Sequence, residues 1–335
     1  MLVFLLKWLV VSFSQCPFAH SRMRPIVALN LLVHFIGIAS HSLAFTDTTI
    51  SKQSDRLSTL HSTKESLSSL TMEETYDRVA TDAVAAWKKR CDGKQGRLWI
   101  AVAGTPGSGK STVSRNVVQR INQQLGGGDK AICIPMDGYH LTQDEMKLKG
   151  YDMKRRGAPY TFDATRMYHD LKNAREEMEG RRVSFPDYSR EKSDPVPNQI
   201  HLEDCHDIVL VEGLYVLLGS LCKDLDDPNS PVNQAARELG QESWIAGEIQ
   251  RWKPMMELWD QSIFVEPPGG FEVEGKRRLV ERSLKTWNPA KTELWCRDCK
   301  TDREAATLRV EMNDEKNAKL ISCCKPYAST VVETK

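Results

Sequence analysis

Apolar residues recur near a helical period across Glu74–Lys89, at Tyr76, Val79, Ala80, Val84 and Trp87, and this spacing predicts an amphipathic helix. The next run, Arg97–Ala103, is short, holds β-branched Ile100 and Val102 and stops at Gly104, which predicts a buried strand. Ser111–Gln124 returns to the helical period and ends at Gly126-Gly127-Gly128. Short apolar runs at Ala131–Met136, Asp207–Val211 and Ser262–Glu266, the last stopped by Pro267-Pro268, predict further strands. Asp163–Glu179, Glu272–Lys285 and Arg303–Cys323 predict helices. Strands that alternate with helices imply an α/β fold, a parallel sheet with helices on both faces. Lys223–Glu242 is polar, holds Pro228 and Pro231 and has no clear period, so it reads as a surface insertion.

The amino end breaks this pattern. Leu2–Phe13 and Pro25–Phe45 are far more apolar than the remainder, which marks residues 1–45 as a signal or targeting segment. With translation from Met23, Arg24 supplies a basic start, Ile26–Ile38 an apolar stretch and Ser42-Leu43-Ala44 the small residues of a cleavage site. A membrane anchor is the competing reading; Asn30, His34 and His41 interrupt the stretch, so no stable anchor is expected in the mature form. Residues 46–72 are rich in Ser and Thr and read as a transit-like or disordered linker. The two segments together resemble the bipartite plastid-targeting presequence of algae with complex plastids, although Asp47, Asp55 and Glu65 depart from its acid-poor pattern. The resemblance implies an organellar, plastid location, with the secretory pathway as the alternative. Residues 73–325 are then expected as one catalytic domain and 326–335 as a tail.

Composition narrows the function. The chain has 335 residues, with Lys+Arg 46 against Asp+Glu 45 and a net charge of +1, so no global field draws it to nucleic acid. A hydrophobic fraction of 40% and a charged fraction of 27% exclude a disordered or multi-spanning membrane protein. The cysteines are odd in number and widely spread, which implies mostly reduced thiols. Cys296-x-x-Cys299 with Cys323-Cys324 is the one metal-like spacing, and adjacent cysteines make a poor second chelating arm.

The chemistry begins at Gly104-Thr105-Pro106-Gly107-Ser108-Gly109-Lys110-Ser111, a G-x-x-x-x-G-K-[ST] run between a predicted strand and a predicted helix. Such a loop wraps backbone N–H groups around phosphate, and the helix that follows, with Thr112 in its first turn, aims its positive end at the same anion. Lys110 is expected to reach the β and γ phosphates and Ser111 to bind Mg²⁺. Neither an Asn-Lys-x-Asp run nor a Leu-Ser-Gly-Gly-Gln run occurs, which argues against a GTPase and a transport ATPase. Glu212 ends the apolar strand Asp207–Val211 and is the second candidate for Mg²⁺. Asp137 ends the strand after the loop helix, at the same carboxyl edge of a parallel sheet, where it can take a proton from an attacking hydroxyl.

Five segments then occur in a telling order: Gly104–Ser111, Met136-Asp137-Gly138-Tyr139-His140, Arg156-Gly157-Ala158-Pro159-Tyr160-Thr161-Phe162-Asp163, Phe185-Pro186-Asp187-Tyr188-Ser189-Arg190 and Val211-Glu212-Gly213-Leu214-Tyr215. As a set they resemble the phosphoribulokinase/uridine kinase family, nearest to its uridine-kinase-like branch. The resemblance implies a P-loop kinase fold with a five-stranded parallel core, ATP and Mg²⁺ as cofactors, and transfer to an alcohol. It implies Asp137 as general base, and Glu272–Thr286 as a lid helix whose Arg278 and Arg282, four apart, both face the phosphates. Arg309–Leu320 resembles the branch's closing helix, where Asn313 is expected to border nucleotide or substrate; Tyr139, His140, Arg156, Tyr188 and Arg190 are the acceptor-pocket candidates. Arg190 stands where pantothenate kinases have His, and Lys285-Thr286-Trp287-Asn288 where the branch has a glycine.

The expected function is an ATP-dependent small-molecule kinase whose partners are ATP and a hydroxyl-bearing metabolite, nucleoside-, sugar-, glycerate- or pantothenate-like. A homo-oligomer is compatible with this reading. The alternatives are an NTP hydrolase or a nucleotide-regulated binding protein without transfer.

Overall fold

Each apolar run predicted as a strand forms one. In the computed structural model, β1 (Leu98–Gly104) is buried along its whole length and lies between β5 (Ile208–Glu212) and β6 (Gln261–Glu266), with β2 (Ala131–Pro135) on the far side of β5. The structure describes residues 67–91, 96–176, 182–240, 242–296 and 298–335. The targeting segment expected over 1–45, and the linker up to residue 66, lie outside the described residues, as does the end of the helix predicted over Asp163–Glu179.

With β7 (Thr330–Glu333) at one edge, the sheet has the order β2-β5-β1-β6-β7 and every pairing in it is parallel. Parallel strands covered on both faces need apolar side chains in both directions, which is why these runs are continuous rather than alternating. Leu98, Ile100 and Val102 pack with α1 (Met72–Cys91) and α2 (Lys110–Gln124), through Val79, Ala83, Val113, Val117 and Ile121. After a short helix, α3 (Gln143–Leu148), α4 (Ala164–Glu176) brings Met167 and Leu171 to the opposite core, which Trp99, Ala101 and Ala103 join with Leu320 and Ile321 of the closing helix.

Three parts of the chain escape the sequence pattern. The stretch expected as a tail carries β7 (Thr330–Glu333), the fifth strand of the sheet, paired along β6. Four residues are too few to register as a period. An antiparallel hairpin, β3 (Val183–Ser189) with β4 (Asp194–Leu202), is interrupted by a bulge between Phe185 and Asp187. The expected insertion over Lys223–Glu242 is not a surface loop throughout, because Pro231–Glu238 forms α5, with Val232, Ala235 and Ala236 buried. Ser230 caps it by accepting from the Asn233 N–H at 3.3 Å, ahead of a proline in the first turn. Two alanines and one valine make a stripe too small to stand out from the polar residues around them. Val232→Ala is expected to cost about 2 kcal/mol, lowering the melting temperature by about 4–8 °C. An unchanged melting temperature would return the segment to the surface.

After α6 (Glu242–Trp252) and β6, a π turn at Phe271–Gly275 leads into α7 (Lys276–Leu284), the predicted lid helix. Then follow α8 (Pro289–Trp295) and α9 (Asp302–Arg309). The helix predicted over Arg303–Cys323 is α9 joined through a π turn, Val310–Glu315, to α10 (Lys316–Ser322). Leu279, Val280, Ala306, Val310 and Ala318 form a separate small core beneath the lid. Cys296 and Cys299, the metal-like pair in a set expected to be mostly reduced, form a disulfide between α8 and α9; a three-residue separation in one tight loop brings them together. Cys91, Cys133, Cys205, Cys222, Cys323 and Cys324 are free. Among the described residues no helix is long and apolar enough to cross a membrane.

Candidate active site

The loop Gly104–Ser111 joins β1 to α2, and its glycines are there for shape. Gly107 and Gly109 have φ of 75° and 88°, in the left-handed region that side chains disfavour. At Gly104 a Cβ would lie 2.3 Å from the Val265 carbonyl oxygen, so no other residue fits. Inside the loop, the buried hydroxyls Thr105 Oγ1 and Ser108 Oγ have no hydrogen-bond partner among the described residues. Buried hydroxyls are normally satisfied, so these two fit a site built for an anion's oxygens.

Register places the rest. Val102 of β1 and Pro135 of β2 both pair with Glu212 of β5, so Glu212 lies between the phosphate loop and the turn Met136–Tyr139 that presents Asp137. Ser111 Oγ donates to Glu212 Oε2 at 3.0 Å. Burial pushes the Glu212 carboxyl above the usual carboxylate range, while the Lys110 ammonium and the Ser111 hydroxyl pull it back. Lys110 Nζ lies 3.5 Å from the Thr105 carbonyl oxygen. Burial holds its ammonium below the ordinary lysine value, opposed by Glu212 and Asp137. A hydroxyl beside one carboxylate is a hard-oxygen donor pair; it suits a Mg²⁺ that keeps most of its waters and takes phosphate oxygens besides. Among the described residues no group of three or more His, Cys, Asp or Glu is placed to cage a metal. Loop, Lys110, Ser111, Glu212 and Asp137 thus converge at the carboxyl edge of the sheet.

The two lid arginines part company. Arg282 stays solvent-accessible, yet atoms crowded round its guanidinium push it below its ordinary value; Asp314 and Asp137 oppose this, while Arg190 and Arg309 add to it. Arg282 therefore shares the field of the phosphate edge. Arg278 does not reach that edge as expected: its Nε donates to Glu274 at 2.8 Å and its Nη1 to Thr334 Oγ1 at 2.8 Å. Four-residue spacing gave both arginines one face, but Glu274 one turn back captures Arg278.

The acceptor candidates also divide. Tyr139 is buried and its hydroxyl donates to Asp170 at 3.0 Å, so it belongs to the core rather than the expected pocket. His140 does line the edge: its ring lies 3.9 Å from Phe162 and 5.1 Å from Tyr188, and its Nδ1 is 2.9 Å from the Asp137 carbonyl oxygen. Arg156 lies over Tyr188 and donates to Asp194 at 2.8 Å, which neutralises its charge. Arg190 is exposed just after β3, close enough to act on Arg282.

Sequence reasoning missed Asp314, Arg309 and Arg155. Burial raises the Asp314 carboxyl, against the pull of Arg309, Arg282, Arg155 and Lys110. Arg309 Nη1 lies 3.5 Å from its Oδ2. Arg155 donates to Asn313 Oδ1 at 2.7 Å, while Asn313 and Asn317 donate to the Arg156 and Gly157 carbonyls at 2.9 and 3.1 Å. Asn313, expected to border nucleotide or substrate, instead pins the Arg155-Arg156-Gly157 loop to the closing helix. The Asn313-x-x-x-Asn317 spacing was the available signal.

Fold and loop together define a P-loop kinase architecture. D-glycerate 3-kinase from Cryptococcus neoformans has a similar fold, with a TM-score of 0.51 at 14% identity over 74% of this chain and 88% of that one. Residues 99–228 match the Phosphoribulokinase / Uridine kinase family, as the ordered motifs implied. Protein YggC of Escherichia coli is 32% identical over 57% of this chain and 63% of its own length. The pantothenate kinase of Lactococcus lactis subsp. cremoris strain MG1363 is 27% identical over 57% and 60%. The chain thus spans somewhat under two thirds of the length of these curated relatives.

Proposed function

We propose that the chain is an ATP-dependent kinase that transfers the γ-phosphate to the hydroxyl of a small metabolite. The observation that carries this reading is the convergence of Lys110, the Ser111–Glu212 pair and Asp137 at one sheet edge, next to a loop with unpaired buried hydroxyls. The family match and the likeness to pantothenate and D-glycerate kinases support it.

The loop backbone and Lys110 hold the β and γ phosphates. Ser111 and Glu212 are the residues to hold Mg²⁺, which when bound neutralises charge shared by those phosphates. Asp137 orients the acceptor hydroxyl and takes its proton as the oxygen attacks the γ-phosphorus. The bond from that phosphorus to the bridging oxygen breaks, ADP leaves, and a phosphate monoester remains. Arg282 faces the charge in transfer and helps exclude water. His140 and Tyr188 offer the acceptor an aromatic wall, and Arg190 a cation that Asp194 does not quench. Nucleoside-, sugar-, glycerate- and pantothenate-like alcohols all suit these groups. ADP release is expected to rise with one of these four classes; equal rates with and without each of them would contradict transfer.

Glu212→Gln tests the metal role. It is expected to raise the Mg²⁺ concentration needed for half-maximal ATP turnover about tenfold, as loss of a group that orients a metal's shell does. An unchanged Mg²⁺ titration would remove Glu212 from the metal site.

A further inference from the structure

The phosphate loop is braced from a distant part of the chain. Thr334, directly after β7, is buried, and its Oγ1 donates to the Ser108 carbonyl oxygen at 3.0 Å. The same oxygen accepts from Arg278 Nη1 at 2.8 Å, so one hydroxyl bonds the loop on one side and the lid helix on the other. Its backbone N–H is tied to the Glu266 carbonyl at 2.9 Å, which fixes it to the sheet. The brace has a second point of contact, since a Cβ at Gly107 would lie 2.7 Å from the Gly275 carbonyl oxygen, at the base of α7. Loop and lid base therefore meet twice, once by close approach and once through Thr334.

We propose that Thr334 is a positioning residue that couples the phosphate loop to the helix carrying Arg282. This rests on the nucleotide reading of the loop. The hydroxyl sets the Ser108 carbonyl, and with it the peptide plane whose N–H side belongs to Gly109, between two loop glycines and Lys110. Through Arg278 it also sets where α7 begins, and so where Arg282 stands one turn further along. Arg278, diverted from the phosphates, thereby acts on them at second hand.

The test is ATP·Mg²⁺ binding to the full chain by calorimetry. Thr334→Val keeps the branched shape and removes the hydroxyl, whereas Thr334→Ser keeps the hydroxyl and removes the methyl, which lies where a Cβ at Gly109 would meet it at 3.4 Å. Val is expected to weaken ATP binding about tenfold, the size of one lost hydrogen bond at a buried carbonyl. Ser is expected to remain within about twofold of the unmutated chain. A packing role gives the reverse order, so tight binding by Val, or Ser as weak as Val, overturns the inference. Where Val unfolds the chain, Arg278→Gln reads the coupling from the lid side. It is expected to weaken ATP binding about threefold, and unaltered binding in it overturns the inference as well. Phosphate transfer does not enter this readout; a chain that binds ATP in the expected order yet transfers nothing contradicts the kinase reading alone.

Discussion

Lys110→Ala is expected to lower phosphate transfer by about 10³-fold or more, the scale of a cation that meets developing charge in phosphoryl transfer. The substitution removes more than a contact to phosphate. Lys110 sits among Glu212 and Asp137, whose carboxylates act directly on its ammonium. Without it two carboxylates face the incoming polyanion with no cation between them, so ATP affinity is expected to fall together with the rate. Initial rates over a range of ATP concentrations read both effects. A loss of less than about tenfold would mean that the loop does not cradle the transferred phosphate.

Asp137→Asn is expected to lower transfer by about 10²–10⁴-fold while ATP binding stays close to that of the unmutated chain, the signature of a lost general base. The structure makes this a clean substitution. Asp137 is exposed; its carboxylate acts on His140 only through space, and its hydrogen bonding to that residue runs through its backbone carbonyl, which accepts from the His140 N–H at 3.2 Å. The aromatic stack of His140 on Phe162 does not depend on the carboxylate. Side-by-side calorimetry and turnover separate the two effects. Loss of ATP binding in Asp137→Asn would contradict the role assigned to it.

What could be read in advance follows from how locally each feature is encoded. The strands were legible because a parallel sheet covered on both faces demands continuous apolar runs. The phosphate loop was legible because its glycines, lysine and serine are contiguous, Glu212 because it ends such a strand, and Asp137 because it sits in the turn just past one. Direction within a turn was not legible: Tyr139 and His140 are neighbours, yet one enters the core toward Asp170 and the other lines the edge. Arg278 and Arg282 share a helix face, and only the fold shows that Glu274 and Thr334 claim the first. In the longest-range features the sequence pattern names no partner, even where a spacing such as Asn313-x-x-x-Asn317 marks one side. Arg155 meets Asn313 across 158 positions, and Thr334 meets Ser108 across 226. Asp314, flanked by polar and charged residues, reads as solvent-facing until α9 and α10 turn it inward beside Arg309.

The central claim, transfer to an alcohol with Asp137 as base, is tested most directly by incubating the chain with ATP·Mg²⁺ and a pooled library of hydroxyl metabolites. Mass detection then follows any component that gains about 80 Da, the mass of a transferred phosphoryl group. The account predicts such a product with the unmutated chain and, over the same time, at least about a hundredfold less with Asp137→Asn. No product from a chain that binds ATP, or equal product from both chains, would contradict it.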